Sequence, residues 1–212
     1  METNVRSVYN QWATTYDEIE NKTRDLDKIA TQKMLAGVIK TSDSVLEFGC
    51  GTGKNTEWIL TQAQNLTAAD FSEEMLSKAK EKFSERHLVF RQADITKEWP
   101  FENQSYDLAT CNLILEHVKN LNIIFSEASR VLKKNGHFFI SELHPAKQYL
   151  GSKARFEVNH QSVSPDCFTH HVSDYFSAAS NNGFSCIELK EWFCNSIPVI
   201  ESHASLATNK SE

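Results

Sequence analysis

The sequence predicts an α/β fold built on a doubly wound, mostly parallel sheet, whose last strand is expected to be short or missing. From residue 44 to residue 193, short apolar segments alternate with segments of helical periodicity. Strands that alternate with helices are typical of parallel βαβ units. The first apolar segment also runs into glycines at alternate positions, which is typical of a strand–turn–helix junction.

Each element is predicted from its own local pattern. Apolar residues recur at helical spacing, Ser72 is suited to cap a helix, and the pair Asn135-Gly136 indicates a turn. Residues 144–169 have no clear period and are expected to be irregular. The predicted helices are 5–16, 25–39, 54–62, 73–83, 121–132 and 173–181. The predicted strands are 44–48, 66–70, 87–92, 106–111, 137–143 and 184–193.

The length of 212 residues fits one domain with a sizeable core. We expect N-terminal helices at 1–40, the main domain at 41–200 and a polar, disordered tail at 201–212. Before this tail only residues 197–200 are apolar, which is why the last strand is expected to be short or missing.

Composition excludes several classes of function. The net charge is −6 and the Lys and Arg residues are scattered, which argues against a nucleic-acid partner. No apolar run approaches the roughly 20 residues that span a bilayer, so no membrane partner is expected. The five cysteines include no C-x-x-C pair, which predicts reduced thiols in a cytoplasmic protein without a metal site.

The glycine segment is the first motif that points to a ligand. Gly49, Gly51 and Gly53 follow the strand at 44–48 and precede a helix, whose free amide groups favour an anionic ligand group. A dinucleotide-binding loop requires G-x-G-x-x-G, whereas Lys54 stands here at the third glycine position. This difference counts against an NAD(P)-dependent oxidoreductase, which is kept as an alternative. A non-catalytic binding module is the other alternative.

Two carboxylates are expected at the next strand ends. Asp70 closes the second predicted strand, where a carboxylate accepts hydrogen bonds from ribose hydroxyls. Asp94 lies just past the third predicted strand, where it suits the amino group of an adenine. Because the carboxyl ends of parallel strands meet at one edge of a sheet, these side chains should converge on one cleft with the glycines.

Four spaced motifs in this order resemble the class I S-adenosylmethionine-dependent methyltransferases. They are Glu-Phe-Gly-Cys-Gly-Thr-Gly at 47–53, Ala-Asp-Phe-Ser-Glu-Glu-Met-Leu at 69–76, Ala-Asp-Ile at 93–95 and Tyr-Asp-Leu-Ala-Thr-Cys-Asn-Leu-Ile-Leu-Glu-His-Val at 106–118. The resemblance extends over residues 12–193. It implies a sheet of seven strands, S-adenosylmethionine as cofactor and a small-molecule methyl acceptor, whose identity it leaves open. Whether the protein is a monomer or a homodimer also stays open.

The resemblance also implies roles for individual residues, with the helices of 1–40 forming a lid over the cofactor and Trp12 helping to close it. The implied contacts are Tyr16, Gly49, Gly51 and Gly53 for the methionine part, Asp70 for the ribose, Phe71, Met75, Asp94 and Ile95 for the adenine, and Asn112 and Leu113 beside the sulfonium.

The base that an oxygen acceptor would need is predicted among a few residues. His117 and His144 follow the fourth and fifth predicted strands, and histidine suits proton removal near neutral pH. Glu116 and Glu142 are alternative bases or substrate-orienting groups, and a nitrogen or carbon acceptor might need no base.

A few further residues are weighed in the segment after the fifth predicted strand. Arg155 suits an acceptor carboxylate or a neighbouring acidic residue. His160, His170, His171, Asp166 and Cys167 match no known zinc spacing, so no metal site is predicted.

Overall fold

The structure of the protein is a computed structural model that describes residues 5–40, 43–158, 161–194 and 201–210. The helices are α1 (Val5–Trp12), α2 (Lys22–Leu35), α3 (Thr56–Leu60), α4 (Glu73–Lys82), α5 (Leu121–Val131), α6 (Pro145–Tyr149) and α7 (Val172–Asn181), with a 3-10 helix at Leu115–His117. The strands are β1 (Ser44–Phe48), β2 (Asn65–Asp70), β3 (Leu88–Gln92), β4 (Tyr106–Asn112), β5 (Leu132–Leu143), β6 (Phe156–Val158), β7 (Gln161–Val163), β8 (Phe184–Cys194) and β9 (Glu201–Lys210). Among these described residues, no helix has the length and apolar character that crossing a membrane requires.

Seven strands form the main sheet in the order β3-β2-β1-β4-β5-β9-β8. Strands β1 to β5 pair in parallel, and β9 pairs antiparallel with both β5 and β8. The chain winds outward from β1 in one direction to β3 and then returns to β4 on the other side of β1. This confirms the predicted doubly wound fold and places a crevice at the carboxyl ends of β1 and β4, where the winding direction changes.

Alternate residues of the central strands supply two apolar layers. Leu46 and Phe138 belong to the cluster on the face that carries α5 and α7, whereas Val45 and Phe139 pack with Met34 of α2 on the other face. All four strand residues are buried, and complete burial of such a side chain contributes roughly 1.5–3 kcal/mol. The two layers hold the strand ends, and therefore the crevice, in a fixed geometry.

The predicted helices are present, but several boundaries differ. Ser72 accepts a hydrogen bond from the Met75 amide, as expected of a helix cap. The helix predicted at 54–62 is confined to α3, because the backbone up to Asn55 still belongs to the glycine turn. The first helix ends at Trp12 rather than at residue 16.

The segment after β5 is more ordered than its sequence predicts. The irregular structure expected at 144–169 contains α6 and a two-stranded hairpin of β6 and β7. Pro145 occupies the first turn of α6, where proline fits, and the His144 side chain accepts a hydrogen bond from the Ala146 amide. Helix α6 has 5 residues and each hairpin strand has 3, which is too short for a recognisable period.

Strand β5 also begins earlier than the predicted turn at Asn135-Gly136 allows. It runs through both residues, with Asn135 at φ 63° and a register shift against β4 between Tyr106 and Leu108. A positive φ at Asn is a common irregularity, and here it bends the strand without ending it.

The prediction of a disordered tail at 201–212 is wrong for residues 201–210, which form β9. This strand lies between β5 and β8 and pairs with both along its length. Because a strand in this position has hydrogen-bonding partners on both edges, the backbone stabilises a segment whose sequence is mostly polar. The apolar residues 197–200 lie outside the described residues.

Candidate active site

A cavity of about 470 Å³ opens at the carboxyl ends of the central strands. Its walls come from the N-terminal segment, the glycine turn and the segments that follow β2, β3 and β4. The predicted site residues that line it are Tyr16, Gly49, Gly51, Asp70, Phe71, Met75, Asp94, Ile95, Asn112, Leu113 and His117. The structure therefore brings together almost the whole predicted site.

The glycine turn requires glycine at three positions for different reasons. Gly49 has φ 79°, and a Cβ there would lie 2.4 Å from Cγ2 of Ile114. Gly51 has φ 54° with open space where a Cβ would stand, and its amide donates to Asp70 at 2.9 Å. Contrary to its expected role, Gly53 does not line the cavity. A Cβ there would lie 2.5 Å from the Phe83 ring. Its role is to let the turn pack against that ring.

Asp70 connects the glycine turn to the segment after β2. Its Oδ2 accepts from the Gly51 amide and its Oδ1 from the Ser72 amide, each at 2.9 Å. Burial raises the pKa of Asp70 to about 6, although these amides favour the ionised form. Each carboxylate oxygen has a further lone pair, so the group can also accept hydrogen bonds from a ligand diol.

The residues predicted for the adenine lie together next to Asp70, in the segments that follow β2 and β3. Phe71 and Met75 follow β2, and Asp94 and Ile95 follow β3, and all four line the cavity. Oδ1 of Asp94 accepts from the amide and from the hydroxyl of Thr96, at 3.0 and 2.6 Å. These bonds hold the carboxylate at the end of β3, while the apolar side chains offer a surface for a flat ring.

A buried polar network lines the opposite end of the cavity. Asp27 of α2 accepts from the side-chain amides of Asn55 and Asn112, at 2.9 and 2.8 Å. The carboxamide oxygens of both asparagines have no hydrogen-bond partner within the described part of the chain. A carboxylate and two amide oxygens in one place suit a ligand ammonium group.

A cation also lies at this end. The Arg24 guanidinium stacks on the Tyr16 ring, with its central carbon 4.0 Å from the ring centroid. It donates to the backbone oxygens of Tyr16 and Ile19, whereas its buried Nε has no partner within the described residues. Arg24, Tyr16 and Asp27 all line the cavity, so this end presents both a cation and an anion to a ligand.

Glu47 is a further buried carboxylate in the cavity wall. Its Oε2 accepts a hydrogen bond from the Thr56 hydroxyl at 2.5 Å. Burial raises the pKa of Glu47 to about 7. The sequence motif contains this residue, yet its chemistry was hidden because acidic residues are common at strand ends.

The turn after β4 has an unusual backbone that Glu142 stabilises. Leu113 has φ 54°, a conformation that L-residues with large side chains rarely adopt. Oε1 of Glu142 accepts from the amides of Ile114 and Leu115, at 2.9 and 2.8 Å, and burial raises the pKa of Glu142. Glu142 does not line the cavity, so it supports the turn and does not face a ligand, contrary to its expected role as a base.

The two predicted histidines have different positions. Nδ1 of His117 donates to the Asp166 carbonyl oxygen at 2.9 Å, which leaves Nε2 to accept from the Tyr9 hydroxyl, also at 2.9 Å. His144 does not line the cavity; its Nδ1 caps α6 and its Nε2 lies 2.6 Å from Glu191. The geometry therefore keeps His117 as a candidate base and removes His144.

The N-terminal segment is fastened over the cavity by polar contacts. The Ser72 hydroxyl donates to Asn10 at 2.6 Å, and Asp17 accepts from Thr52 and from Lys82, both at 2.7 Å. Trp12 is buried in a cluster with Val8 and Met75, although it does not line the cavity itself. These contacts join residues that lie far apart in the chain.

Sequence reasoning missed several residues at the site. Tyr9, Arg24, Asp27 and Asn55 line the cavity and belong to no recognised motif. Only their proximity to the recognised motif residues reveals them, because Asp27 and Asn112 are 85 positions apart in the sequence.

Comparison with protein families shows what this chain resembles. A family model described as a methyltransferase domain matches residues 46–140. The ubiquinone biosynthesis O-methyltransferase of Photobacterium profundum is 32% identical over 111 residues, which are 50% of this chain and 46% of that protein. The chain spans less than half the length of the first curated relatives that it matches, between 6% and 46%.

Solved structures show the same fold at low sequence identity. A methyltransferase from Haloferax volcanii, in complex with the Trm112 methyltransferase activator, superposes with a TM-score of 0.79 and 17% identity over 99% of this chain and 100% of that chain. An S-adenosylmethionine-dependent methyltransferase from Listeria monocytogenes gives a TM-score of 0.71 and 19% identity over 88% of this chain and 99% of that chain. The chain thus shares its overall fold with these two structures.

Proposed function

Because the chain belongs to the class I S-adenosylmethionine-dependent methyltransferase family, whose cofactor is S-adenosylmethionine, we propose that it transfers a methyl group to a small-molecule acceptor. The observation that carries this proposal is the order of groups along the cavity. By the strand order β3-β2-β1-β4, Asp94 and Ile95 after β3 lie at one end and Asp70 at the end of β2 comes next. Asn112 at the end of β4, which is hydrogen-bonded to Asp27, lies at the other end. This order matches adenine, ribose and amino acid in the cofactor.

The cavity residues fit the cofactor at its amino-acid end. The unpartnered oxygens of Asn55 and Asn112 would accept from its ammonium group together with Asp27. Tyr16 and the Arg24 guanidinium would receive its carboxylate. Gly49 and Gly51 have no side chains, so a ligand can approach the backbone there. This leaves room for the part of the cofactor that joins its amino-acid group to the ribose.

When bound, S-adenosylmethionine supplies an electrophilic methyl group on a sulfonium. The protein's contribution is then to align an acceptor with that methyl group and to exclude water. Asn112 and Leu113 lie at the end of β4, before the turn that Glu142 stabilises, and both would lie beside the sulfonium.

The acceptor would enter beside α1 and the 3-10 helix. Tyr9, Ile114, His117 and Val118 line this part of the cavity. An acceptor hydroxyl that replaces the Tyr9 hydroxyl at Nε2 of His117 would pass its proton to that nitrogen, because the Asp166 carbonyl holds the proton on Nδ1. A cavity of about 470 Å³ that also holds the cofactor leaves room for a small acceptor.

The N-terminal segment would act as the lid over this site. The contacts of Asn10 with Ser72 and of Asp17 with Thr52 and Lys82 lie on its inner surface. A lid that closes over the cofactor excludes water from the reacting atoms.

Calorimetry with S-adenosylmethionine, S-adenosylhomocysteine and NAD tests the cofactor. We expect both adenosyl ligands to bind and NAD not to bind; binding of NAD alone would overturn the proposal. Incubation of a metabolite extract with methyl-labelled cofactor, followed by mass spectrometry, then identifies the acceptor. A labelled small molecule that forms only with the active protein is expected, whereas label confined to macromolecules would contradict a small acceptor.

A further inference from the structure

Three side chains that can bind metals meet beside the acceptor end of the cavity. Glu116 and His117 belong to the 3-10 helix, and Cys167 lies in the segment that precedes α7. One donor atom from each of the three residues lies within 4.8 Å of the others. Nε2 of His117 is 3.9 Å from Glu116, and its Nδ1 is 3.8 Å from the Cys167 sulfur.

The two segments that carry these residues are joined without any ion. The Phe168 amide donates to the Glu116 carbonyl oxygen at 2.6 Å, and the His170 ring donates to the Val118 carbonyl oxygen at 2.7 Å. Together with the bond from His117 Nδ1 to the Asp166 carbonyl oxygen, these bonds join residues 116–118 to residues 166–170. The donor atoms are therefore placed near one another before a ligand arrives.

The tautomer of His117 leaves Nε2, which lies 3.9 Å from Glu116, as the nitrogen that can bind a metal ion. Its Nδ1 donates to the Asp166 carbonyl oxygen, as the second nitrogen of a metal-binding histidine commonly does. Within the part of the chain that the structure describes, the partner of the Nε2 lone pair is the Tyr9 hydroxyl, which a metal ion can displace. Glu116 lies on the same side of the ring.

Glu116 is a buried carboxylate that has no lysine or arginine partner among the described residues. It is 7% exposed, and the only ion pair recorded for it within the described residues is the 3.9 Å contact with His117. The side-chain amide of Gln148 approaches it at 3.5 Å. Because a buried carboxylate is costly unless a cation lies close to it, a positive ion at this position would be favoured.

We propose that Glu116, His117 and Cys167 form a binding site for Zn²⁺. A thiolate, an imidazole and a carboxylate are the donor types that zinc accepts, whereas Mg²⁺ and Ca²⁺ prefer oxygen alone. Zinc–ligand bonds of about 2.0–2.3 Å require the donor atoms to move together by roughly 1 Å. On binding, the Cys167 thiol releases its proton to solvent, and a water molecule completes a fourth position.

Zinc at this site would also affect catalysis, in a way that depends on the proposed function. The ion would occupy the Nε2 lone pair that would otherwise accept the acceptor's proton. Bound Zn²⁺ would therefore inhibit methyl transfer to an oxygen acceptor. The existence of the site does not depend on this consequence.

Metal titration of the full chain tests the site directly. The protein is stripped with a chelator and titrated with Zn²⁺ against a chromophoric competitor, and Co²⁺ is used in parallel for its thiolate absorption. We expect one equivalent to bind, a thiolate–cobalt band to appear, and Cys167→Ser and Glu116→Gln each to weaken binding at least about tenfold. Cys186→Ser is the matched control, because Cys186 is an exposed free thiol outside the cluster.

Three results would overturn the proposal. They are a lack of stoichiometric binding, unchanged affinity in Cys167→Ser, and equal loss in Cys186→Ser. Binding of S-adenosylhomocysteine, measured by calorimetry on each variant, shows whether the fold and the cofactor site survive the substitution. A wild-type chain that binds zinc but no adenosyl ligand would refute the proposed function and leave the metal site intact.

Discussion

At the scale of single residues, Asp70 joins the two segments that form the middle of the cavity. Asp70→Asn keeps the size of the side chain and removes its charge. We expect it to weaken binding of S-adenosylhomocysteine by about 1.5–3 kcal/mol, the usual cost of losing hydrogen bonds to a charged group. Isothermal calorimetry measures this change.

Asp107→Asn is the matched control for this substitution. Asp107 also accepts a backbone amide, that of Ser44 at 2.9 Å, and pairs with Lys133, but it does not line the cavity. We expect its substitution to leave ligand affinity unchanged. Equal weakening by both substitutions would mean that Asp70 acts through the fold and not through the ribose.

Asp27 allows a more selective prediction about the amino-acid end. Asp27→Asn should weaken S-adenosylhomocysteine binding at least about tenfold, because a charged hydrogen-bond partner of the ammonium group is lost. Binding of methylthioadenosine, which lacks the amino-acid group, should stay the same. Both affinities are measured by calorimetry on one protein preparation.

The neighbouring Asp25 supplies the control for Asp27. It lies on the same helix and pairs with Lys54 at the surface. Asp25→Asn should change neither affinity. If Asp27→Asn weakens both ligands to the same extent, Asp27 supports the cavity wall and does not contact the amino-acid group.

At the scale of elements, the strands were predictable because their signals are local. The motif residues at the ends of β1, β2, β3 and β4 follow apolar segments that the sequence shows directly, and parallel pairing brings those ends together. Strand β9 gave no such signal, because pairing on both edges replaces hydrophobicity as its source of stability. The network of Asp27 with Asn112 was equally hidden, since it depends on how α2 packs against the sheet.

The turn after β4 depends on a carboxylate from β5. Glu142→Ala leaves the buried amides of Ile114 and Leu115 without their acceptor, and each such group costs about 1–3 kcal/mol. We expect lower stability to denaturant together with weaker S-adenosylhomocysteine binding, because Leu113 and Asn112 line the cavity. Glu142→Gln keeps an acceptor oxygen and should retain most of both properties.

Glu127→Ala separates these two effects. Glu127 also accepts a backbone amide, that of Trp99 at 2.8 Å, and pairs with Arg130 away from the cavity. It should lower stability and leave ligand affinity unchanged. Unchanged affinity in Glu142→Ala would show that the turn does not need this carboxylate for its function.

Removal of β9 tests how much the sheet depends on a polar strand. Deleting residues 201–212 exposes the facing edges of β5 and β8, which favours aggregation. We expect loss of a cooperative thermal transition, observed by circular dichroism, and a soluble yield far below that of the full chain. Deleting only 211–212 is the control and should preserve the transition, and a fully stable protein after the longer deletion would contradict a structural role for β9.

At the scale of the whole molecule, the site combines a fixed half and a covering half. The strand ends are held by the two buried layers of the sheet, whereas the cover is formed by α1 and the segment that follows it. The cover is joined to the fixed half by polar side chains such as Asp17 and Asn10 and by the apolar cluster of Val8 and Trp12 with Met75. Among the buried charged residues that the structure describes, Arg24, Asp27, Glu47 and Asp70 line the cavity.

This concentration of buried carboxylates predicts how stability depends on pH. The pKa of Glu47 is raised to about 7 and that of Asp70 to about 6, so the folded chain binds protons that the unfolded chain has already released. Their contribution to stability is fully present below about pH 4 and is lost as pH rises through 6 and 7. Burial lowers the pKa of His137 and opposes this trend, so a single variant must isolate the carboxylate.

Glu47→Gln removes one of these titrating groups and keeps an oxygen that can accept from the Thr56 hydroxyl. Between pH 5.5 and pH 8 the wild-type chain should lose on the order of 1–3 kcal/mol more unfolding free energy than the variant, since each unit of pKa shift corresponds to about 1.4 kcal/mol. Urea unfolding of both proteins, without ligand, at several pH values measures the difference. Because Asp70 and His137 titrate in both proteins, their contributions cancel in the comparison. If the unfolding free energies of the two proteins change with pH to the same extent, Glu47 is not the buried acid that limits stability at neutral pH.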